Sequence, residues 1–111
     1  MTQSVKLYGF GSFFSSLPSA ARDVDILIVH ERVDSASIDF AIRCKMIFGH
    51  FLPTAHFTIL SESEDIELSF IQQCNARMLG RVTDIEPDAQ LAKLARLVEL
   101  CMGPGLVPRA P

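Results

Sequence analysis

A glycine–serine pair near the N-terminus has the properties of a phosphate-binding turn. Gly11-Ser12 follows an apolar segment that reads as a strand. Glycine lets the chain turn sharply and lets backbone approach a ligand closely. A helix beginning near Ser12 would direct free N–H groups and the positive end of its dipole at the same place. The pair is therefore a candidate nucleotide- and phosphate-binding site, to which Ser12 adds a hydroxyl.

Two aspartates that follow Ser12 after a spacer of ten residues have the spacing of a metal site. Asp23 and Asp25 stand two apart on a predicted strand, so both side chains leave the same face, with their Cα atoms about 7 Å apart. Mg²⁺ prefers carboxylate oxygen and keeps phosphate oxygens among its ligands. Two such ions about 4 Å apart would serve an in-line displacement at phosphorus. Asp23 and Asp25 are thus the candidate Mg²⁺ ligands and catalytic residues.

The elements that would position these groups are two strands and a short connecting segment. The first strand is predicted over 5–10 and ends at Gly11, and residues 12–17 predict a short helix or helical turn that Pro18 stops. The second strand is predicted over 23–30. Its run of four aliphatic residues at 26–29 is apolar on both faces, which indicates a central, covered strand.

The remainder of the chain predicts alternating helices and strands. Asp34 can cap a helix over 35–48 that Gly49 ends. A strand follows over 53–60, then a helix that a Ser61-x-x-Glu64 capping box begins. An edge strand over 77–82 and a last helix from Pro87, closed at 103–105, complete the order. The predicted core-facing residues are Ile38, Ala41, Ile42 and Met46; Ile66, Phe70, Ile71 and Cys74; and Leu91, Leu94, Ala95 and Val98.

This order predicts an α/β (α+β) fold: a small mixed β-sheet with helices packed mainly on one face. The 111 residues suit one domain, predicted over 1–103, with a flexible tail over 104–111. Three widely spaced cysteines argue against a disulfide framework or a zinc site and predict buried thiols.

Composition excludes several partners. The net charge is −3 and Lys and Arg form no cluster, which makes nucleic acid an unlikely partner. No apolar run reaches the roughly 18 residues of a membrane span, and the polar N-terminus does not resemble a signal peptide. We therefore expect a cytoplasmic protein.

The Phe10-Gly11-Ser12 and Asp23-Val24-Asp25 motifs, with their ten-residue spacer, resemble the signature of the DNA polymerase beta-like nucleotidyltransferase superfamily. The spacing looks most like the minimal nucleotidyltransferases of bacteria and archaea, and the resemblance covers roughly residues 5–72. It implies a nucleotidyltransferase-like fold and Mg²⁺-dependent transfer of a nucleoside monophosphate from ATP, or another nucleoside triphosphate, to a hydroxyl. The role that it implies is that of an antitoxin, which modifies a Tyr or Ser of a HEPN-type toxin.

The chain departs from the family pattern at the third catalytic carboxylate. That acid is expected on a later strand, where this sequence has Ala55-His56-Phe57. His56 is open to three interpretations: a replacement in a weakened enzyme, a working general base with an ordinary pKa near 6.5, or an ordinary strand residue. In the last case the acids that follow need consideration; they are Glu62, Glu64, Asp65 and Glu67.

Other departures bear on phosphate binding. Family loops are often rich in Gly and Arg, whereas the spacer here has only Arg22 as a charged residue, with Arg43 and Lys45 as further candidate cations. Only four residues precede the first predicted strand, so the helix that commonly comes before it in the family is not expected here. Two functions therefore compete: a nucleotidyltransferase antitoxin, and a catalytically weak or inactive module that binds a partner protein or a nucleotide.

Overall fold

A computed structural model describes residues 3–11 and 24–106 of the chain, with the backbone alone described over 101–106. These residues form four strands and four helices. The strands are β1 (Ser4–Phe10), β2 (Val24–His30), β3 (Ala55–Ser61) and β4 (Arg77–Thr83). The helices are α1 (Ser35–Phe51), α2 (Glu62–Leu68), α3 (Phe70–Cys74) and α4 (Pro87–Leu106).

The four strands form one mixed sheet in the order β3-β2-β1-β4. β1 pairs antiparallel with both β2 and β4, whereas β2 and β3 pair in parallel. The expectation of a small mixed α+β fold is confirmed. β2 is an internal strand whose apolar run is buried on both faces, as the sequence predicted.

One face of the sheet, called here the first face, carries the core. Val5 and Leu7 of β1 and Ile26 and Ile28 of β2 lie on it, because alternate residues of a strand share a face. The two long helices cover it. The helical residues packed there are Phe40, Ala41, Cys44 and Phe48 of α1, and Leu91, Leu94, Ala95 and Val98 of α4. The core residues predicted for the last helix are confirmed.

The opposite, second face carries polar and apolar side chains in rows that run across the strands. Asp25 and His56 share one row, and Tyr8 and Leu27 share the next. The two short helices cover part of this face, with Phe70 of α3 packed edge-to-face on Phe10 at 5.3 Å between ring centroids. The longer helices thus share one face, while α2 and α3 lie on the other.

The buried side of α1 differs from the prediction. Ile38, Ile42 and Met46 are 37%, 43% and 71% exposed, and of the predicted stripe only Ala41 is buried. The helix instead buries Phe40, Cys44 and Phe48 because two larger aromatic rings can then fill the core. The sequence offered two apolar sides of α1, and we predicted the wrong one.

Three helix boundaries also differ. α1 continues through Gly49 to Phe51, since one glycine weakens a helix without forbidding it. The helix predicted after Ser61 is broken at Ser69, whose φ of 52° is left-handed, and Ile66 is 77% exposed instead of buried. α4 continues past Gly103 to Leu106, so its Gly-Pro-Gly segment does not close it.

Among the described helices, none combines the length and the apolar character that crossing a membrane requires.

Candidate functional site

The candidate site begins where β1 ends against β2. Gly11 follows β1 directly with φ +84°, the left-handed region that favours glycine. A Cβ built on Gly11 would overlap the Asp25 carboxylate and lie 3.3 Å from its Cγ. Position 11 therefore requires glycine both for its backbone angle and for the close approach of Asp25. The structure brings these two predicted site residues together.

His56 lies beside Asp25 on the neighbouring strand. The parallel register of β2 and β3 pairs Asp25 with His56, which puts both side chains on the second face, with Cα atoms about 5 Å apart. Asp25 is half-buried and His56 is exposed. That His56 takes the place of a third catalytic acid stays a prediction. Gly11, Asp25 and His56 form a line across the end of three strands.

Two further predicted site residues, Ser12 and Asp23, lie outside the described residues, as does Arg22. Their predicted roles in phosphate and metal binding stay predictions.

The described part of the chain offers one carboxylate and one imidazole at this end of the sheet. Residues 3–11 and 24–106 contain no group of three or more His, Cys, Asp or Glu side chains placed to hold a metal ion. Mg²⁺ does not need such a cage, because one or two carboxylates with water and substrate phosphates suffice for it. Asp25 fits that requirement, whereas the imidazole of His56 suits Mg²⁺ poorly.

Glu62, the first of the acids that follow β3, lies too far along the sheet to replace His56. Glu62 is six residues beyond His56, about 20 Å along the strand direction. Its carboxylate lies 3.8 Å from Lys6 Nζ, and Asp65 accepts a 2.8 Å hydrogen bond from the Ile71 amide. Both carboxylates have structural partners there, so neither supplies a third acid beside Asp25.

Glu64 is likewise occupied, because it completes the predicted capping box. The Ser61 amide donates to Glu64 Oε1 at 2.8 Å, and the Glu64 amide donates to Ser61 Oγ at 3.1 Å. These hydrogen bonds, first that of the Ser61 backbone, lower the pKa of the Glu64 carboxyl. The capping box is confirmed, and its acid serves the helix start.

The candidate cations Arg43 and Lys45 do not face the site. Both are exposed on α1, which covers the first face, whereas Asp25 and His56 lie on the second. Sequence reasoning overlooked Lys6 and Tyr8, which share the second face with Asp25. The strict alternation of β1 was the signal that could have found them.

A small cavity of about 160 Å³ lies at these two residues, between the sheet and the short helices. That volume is below the roughly 300 Å³ at which ligand pockets begin, so the cavity alone does not hold a nucleotide. Its lining residues are Lys6, Tyr8, Val29, Glu62, Asp65, Ile66 and Ile71.

The remaining titratable groups of interest serve the fold. His30 is buried, and its Nδ1 donates to the Arg32 carbonyl oxygen at 2.6 Å and lies 3.2 Å from Ser37 Oγ. Burial raises the pKa of the Cys44 thiol to about 12, which leaves it unreactive at neutral pH. Cys44 is the buried thiol that the sequence predicted, whereas Cys74 is only half-buried.

Comparisons of this chain with protein-family models, with curated proteins and with solved structures found no match.

Proposed function

We propose that this chain is a nucleotidyltransferase-like protein that binds a nucleoside triphosphate with Mg²⁺ at the Gly11–Asp25 end of the sheet. Its reaction transfers a nucleoside monophosphate from ATP, or another nucleoside triphosphate, to a hydroxyl of a partner protein. The biological setting that we propose is the cytoplasm, where the chain acts as the antitoxin of a toxin–antitoxin module with a HEPN-type toxin as acceptor.

One observation carries this proposal: the left-handed Gly11 is held against the carboxylate of Asp25. A turn without a side chain leaves its backbone open to phosphate oxygens, and a carboxylate beside it supplies the oxygen ligand that Mg²⁺ prefers. Asp23, from the same motif, is the second proposed ligand, and Ser12 the proposed hydroxyl donor to phosphate. When bound, Mg²⁺ would neutralise phosphate charge and polarise the phosphorus–oxygen bonds.

The proposed reaction forms one bond to the α-phosphorus and breaks another. The acceptor oxygen bonds to the α-phosphorus, the bond from that phosphorus to the bridging oxygen breaks, and pyrophosphate leaves. The hydroxyl proton passes to a base or to water. His56 stands beside Asp25, where the family resemblance implies a carboxylate, so we propose that transfer is slow. A missing general base typically costs roughly 10²–10⁴-fold in rate.

Calorimetric titration with ATP, with and without Mg²⁺, tests the binding step. We expect wild type to bind ATP only with Mg²⁺, and Asp25→Asn to weaken binding at least about tenfold, which corresponds to about 1.4 kcal/mol. Asp39→Asn is the matched control, because it removes an equally charged but exposed acid from α1, on the opposite side of the sheet. Equal binding by wild type and Asp25→Asn would contradict the proposed site.

Transfer is tested separately, by label incorporation from α-labelled ATP into a copurified partner. We expect His56→Asp to raise incorporation above wild type and Asp23→Asn to abolish it. Brisk transfer by wild type that His56→Asp abolishes would instead identify His56 as the working base.

A second function is a catalytically inactive module that binds a nucleotide or a partner protein. The observation that favours it is the exposed imidazole of His56 at the position beside Asp25. Mg²⁺-dependent ATP binding without transfer by either wild type or His56→Asp would select this function.

A further inference from the structure

The border of the molecule formed by β3 and the adjoining side of α1 has an exposed strand edge and exposed apolar side chains. Within residues 3–11 and 24–106, β3 is an edge strand, since β2 is the one strand that pairs with it. Its seven residues, AHFTILS, contain no Asp, Glu, Lys, Arg or Pro, and no bulge interrupts its pairing with β2. Exposed edges present unpaired N–H and C=O groups, and natural proteins usually blunt them with charge, proline or a bulge. β3 has none of these protections along its length.

An exposed apolar stripe of α1, formed by Ile38 and Ile42, adjoins the same border. Gly49 lies eleven residues after Ile38, three helical turns, so both occupy the same side of α1. A Cβ on Gly49 would lie 3.5 Å from the Phe57 ring of β3, which shows that this side of the helix is turned toward the β3 edge. On its other flank, α1 meets Asp88 of α4.

We propose that a second copy of this chain docks on this border. The two β3 strands pair antiparallel about a two-fold axis perpendicular to the sheet, which joins the two four-stranded sheets into one. That rotation keeps both helix layers on the first face, so the α1 stripes meet in the same contact. The edge supplies main-chain hydrogen bonds and the stripe supplies buried apolar area.

Charge makes the chain a suitable partner for itself. The β3 segments bring no like charges of acidic or basic side chains into opposition along the strand, because β3 contains no Asp, Glu, Lys or Arg. A strand of this composition can lie opposite its own copy, as a two-fold interface requires.

The first experiment measures mass in solution by sedimentation, for wild type and two matched pairs of variants. Ile42→Glu places charge in the stripe, and Leu97→Glu makes the same change on α4, at a leucine of similar exposure (48% against 43%). Thr58→Lys and Met78→Lys place charge in one row of the sheet, on β3 and on β4 respectively. Circular dichroism verifies that each variant folds.

We expect wild type to sediment at twice the 12.3 kDa of one chain. Ile42→Glu and Thr58→Lys should weaken the dimer at least about tenfold, whereas Leu97→Glu and Met78→Lys should leave it unchanged. Wild type at one chain mass up to near-millimolar concentration would overturn the proposal and leave the border to a strand of another protein. Equal loss of the dimer in a control and its matched variant would also overturn it.

Hydrogen exchange of the wild-type protein provides a test that needs no variant. The β3 amides that point away from β2 should become protected as concentration rises through the dimerisation range. A dimer in which these amides exchange as fast as in the monomer would show that strand pairing is wrong.

Discussion

The two edges of the sheet are built differently. β4 has arginine at positions 77 and 81, a register shift opposite Leu7 and Tyr8 that leaves Leu79 as an extra residue, and a glycine at position 80. β3 has no charged residue and an unbroken register. Positive charge and a bulge are both means by which proteins discourage strand addition at an edge. The same chain thus protects one edge and leaves the other open, which is why we assign partner binding to β3.

The packing distance between helix and edge strand also differs between the two edges. A Cβ on Gly80 of β4 would lie 2.8 Å from Leu94 Cδ2 of α4, nearer than side chains normally approach. A Cβ on Gly49 of α1 would lie 3.5 Å from the ring of Phe57 of β3, an ordinary contact distance. The protected edge strand β4 is therefore tightly packed against α4, whereas the contact between α1 and the open edge strand β3 can accept an added methyl group.

The largest expected effect is at the tight contact. Gly80→Val should lower the free energy of unfolding by about 1–3 kcal/mol, because the added methyl groups must displace the buried Leu94 side chain. Urea denaturation with linear extrapolation measures the change. Unchanged stability would mean that α4 does not pack closely on β4. Gly80→Val with Leu94→Ala is the control, and it should cost less than the sum of the two single changes.

The next effect concerns the end of the open edge, where β3 passes into α2. Ser61→Ala should lower the free energy of unfolding by about 1 kcal/mol, since the N-cap hydroxyl no longer accepts from the Glu64 amide. Ser35→Ala, at an exposed hydroxyl that follows the N-cap Asp34 of α1, is the matched control and should cost less. Equal losses in the two variants would mean that the cap contributes nothing of its own.

The same capping box predicts a pH dependence. The Ser61 backbone hydrogen bond lowers the pKa of Glu64 below its ordinary value of 4.5. A lowered native pKa stabilises the fold fully above the ordinary value, and this contribution disappears as pH falls through the native pKa. Stability should therefore decline below about pH 4.5 in wild type, and less steeply in Glu64→Gln. If the free energy of unfolding falls equally steeply below pH 4.5 in the two proteins, the carboxylate does not have this role.

A smaller effect of opposite sign is expected at the loose contact. Gly49→Ala should raise the free energy of unfolding by about 0.5–1 kcal/mol, because alanine favours the helix and the new methyl meets Phe57 at an ordinary distance. Thermal unfolding in dilute solution, where the chain is monomeric, measures the change. Destabilisation would show that α1 packs against β3 as closely as α4 packs against β4.

The sequence predicted the sheet and most of its elements because their signals are local. The apolar run of β2, the capping box at Ser61 and the proline that begins α4 each identify an element without reference to the rest of the fold. For the site, the close approach of Gly11 to Asp25 and the register of His56 agree with the motif spacing.

The buried side of α1 and the exposure of Ile66 were not predicted, because both depend on tertiary packing. α1 has apolar residues on two opposite sides, and which side is buried depends on how well each fills the space above β2. The side chain of Ile66 is exposed because the left-handed Ser69 redirects the chain between α2 and α3. Neither outcome can be obtained from helical periodicity, which gives the side chains that share a face and not the face that is covered.

The smallest expected effect on stability is the most direct test of the difference between the edges. Arg77→Thr with Arg81→Thr gives β4 an uncharged edge like that of β3. The change should alter the free energy of unfolding by no more than about 1 kcal/mol, because both arginines are exposed and the ion pair of Arg81 with Glu31, at 3.5 Å, is solvated. Arg81 also donates a 3.2 Å hydrogen bond to the buried Ser4 Oγ. Its effect should appear in association, as species larger than the dimer that grow with concentration.

Two edges that can both pair allow chains to add without end, whereas one open edge closes at two copies. Adding Thr58→Lys to the double variant should therefore bring the assembly back to small species, because only the β4 edge remains available. Light scattering across a concentration series measures both steps. If the double variant keeps the wild-type mass, the bulge at Leu79 protects β4 without help from its arginines, and the charge difference between the two edges is not what separates them.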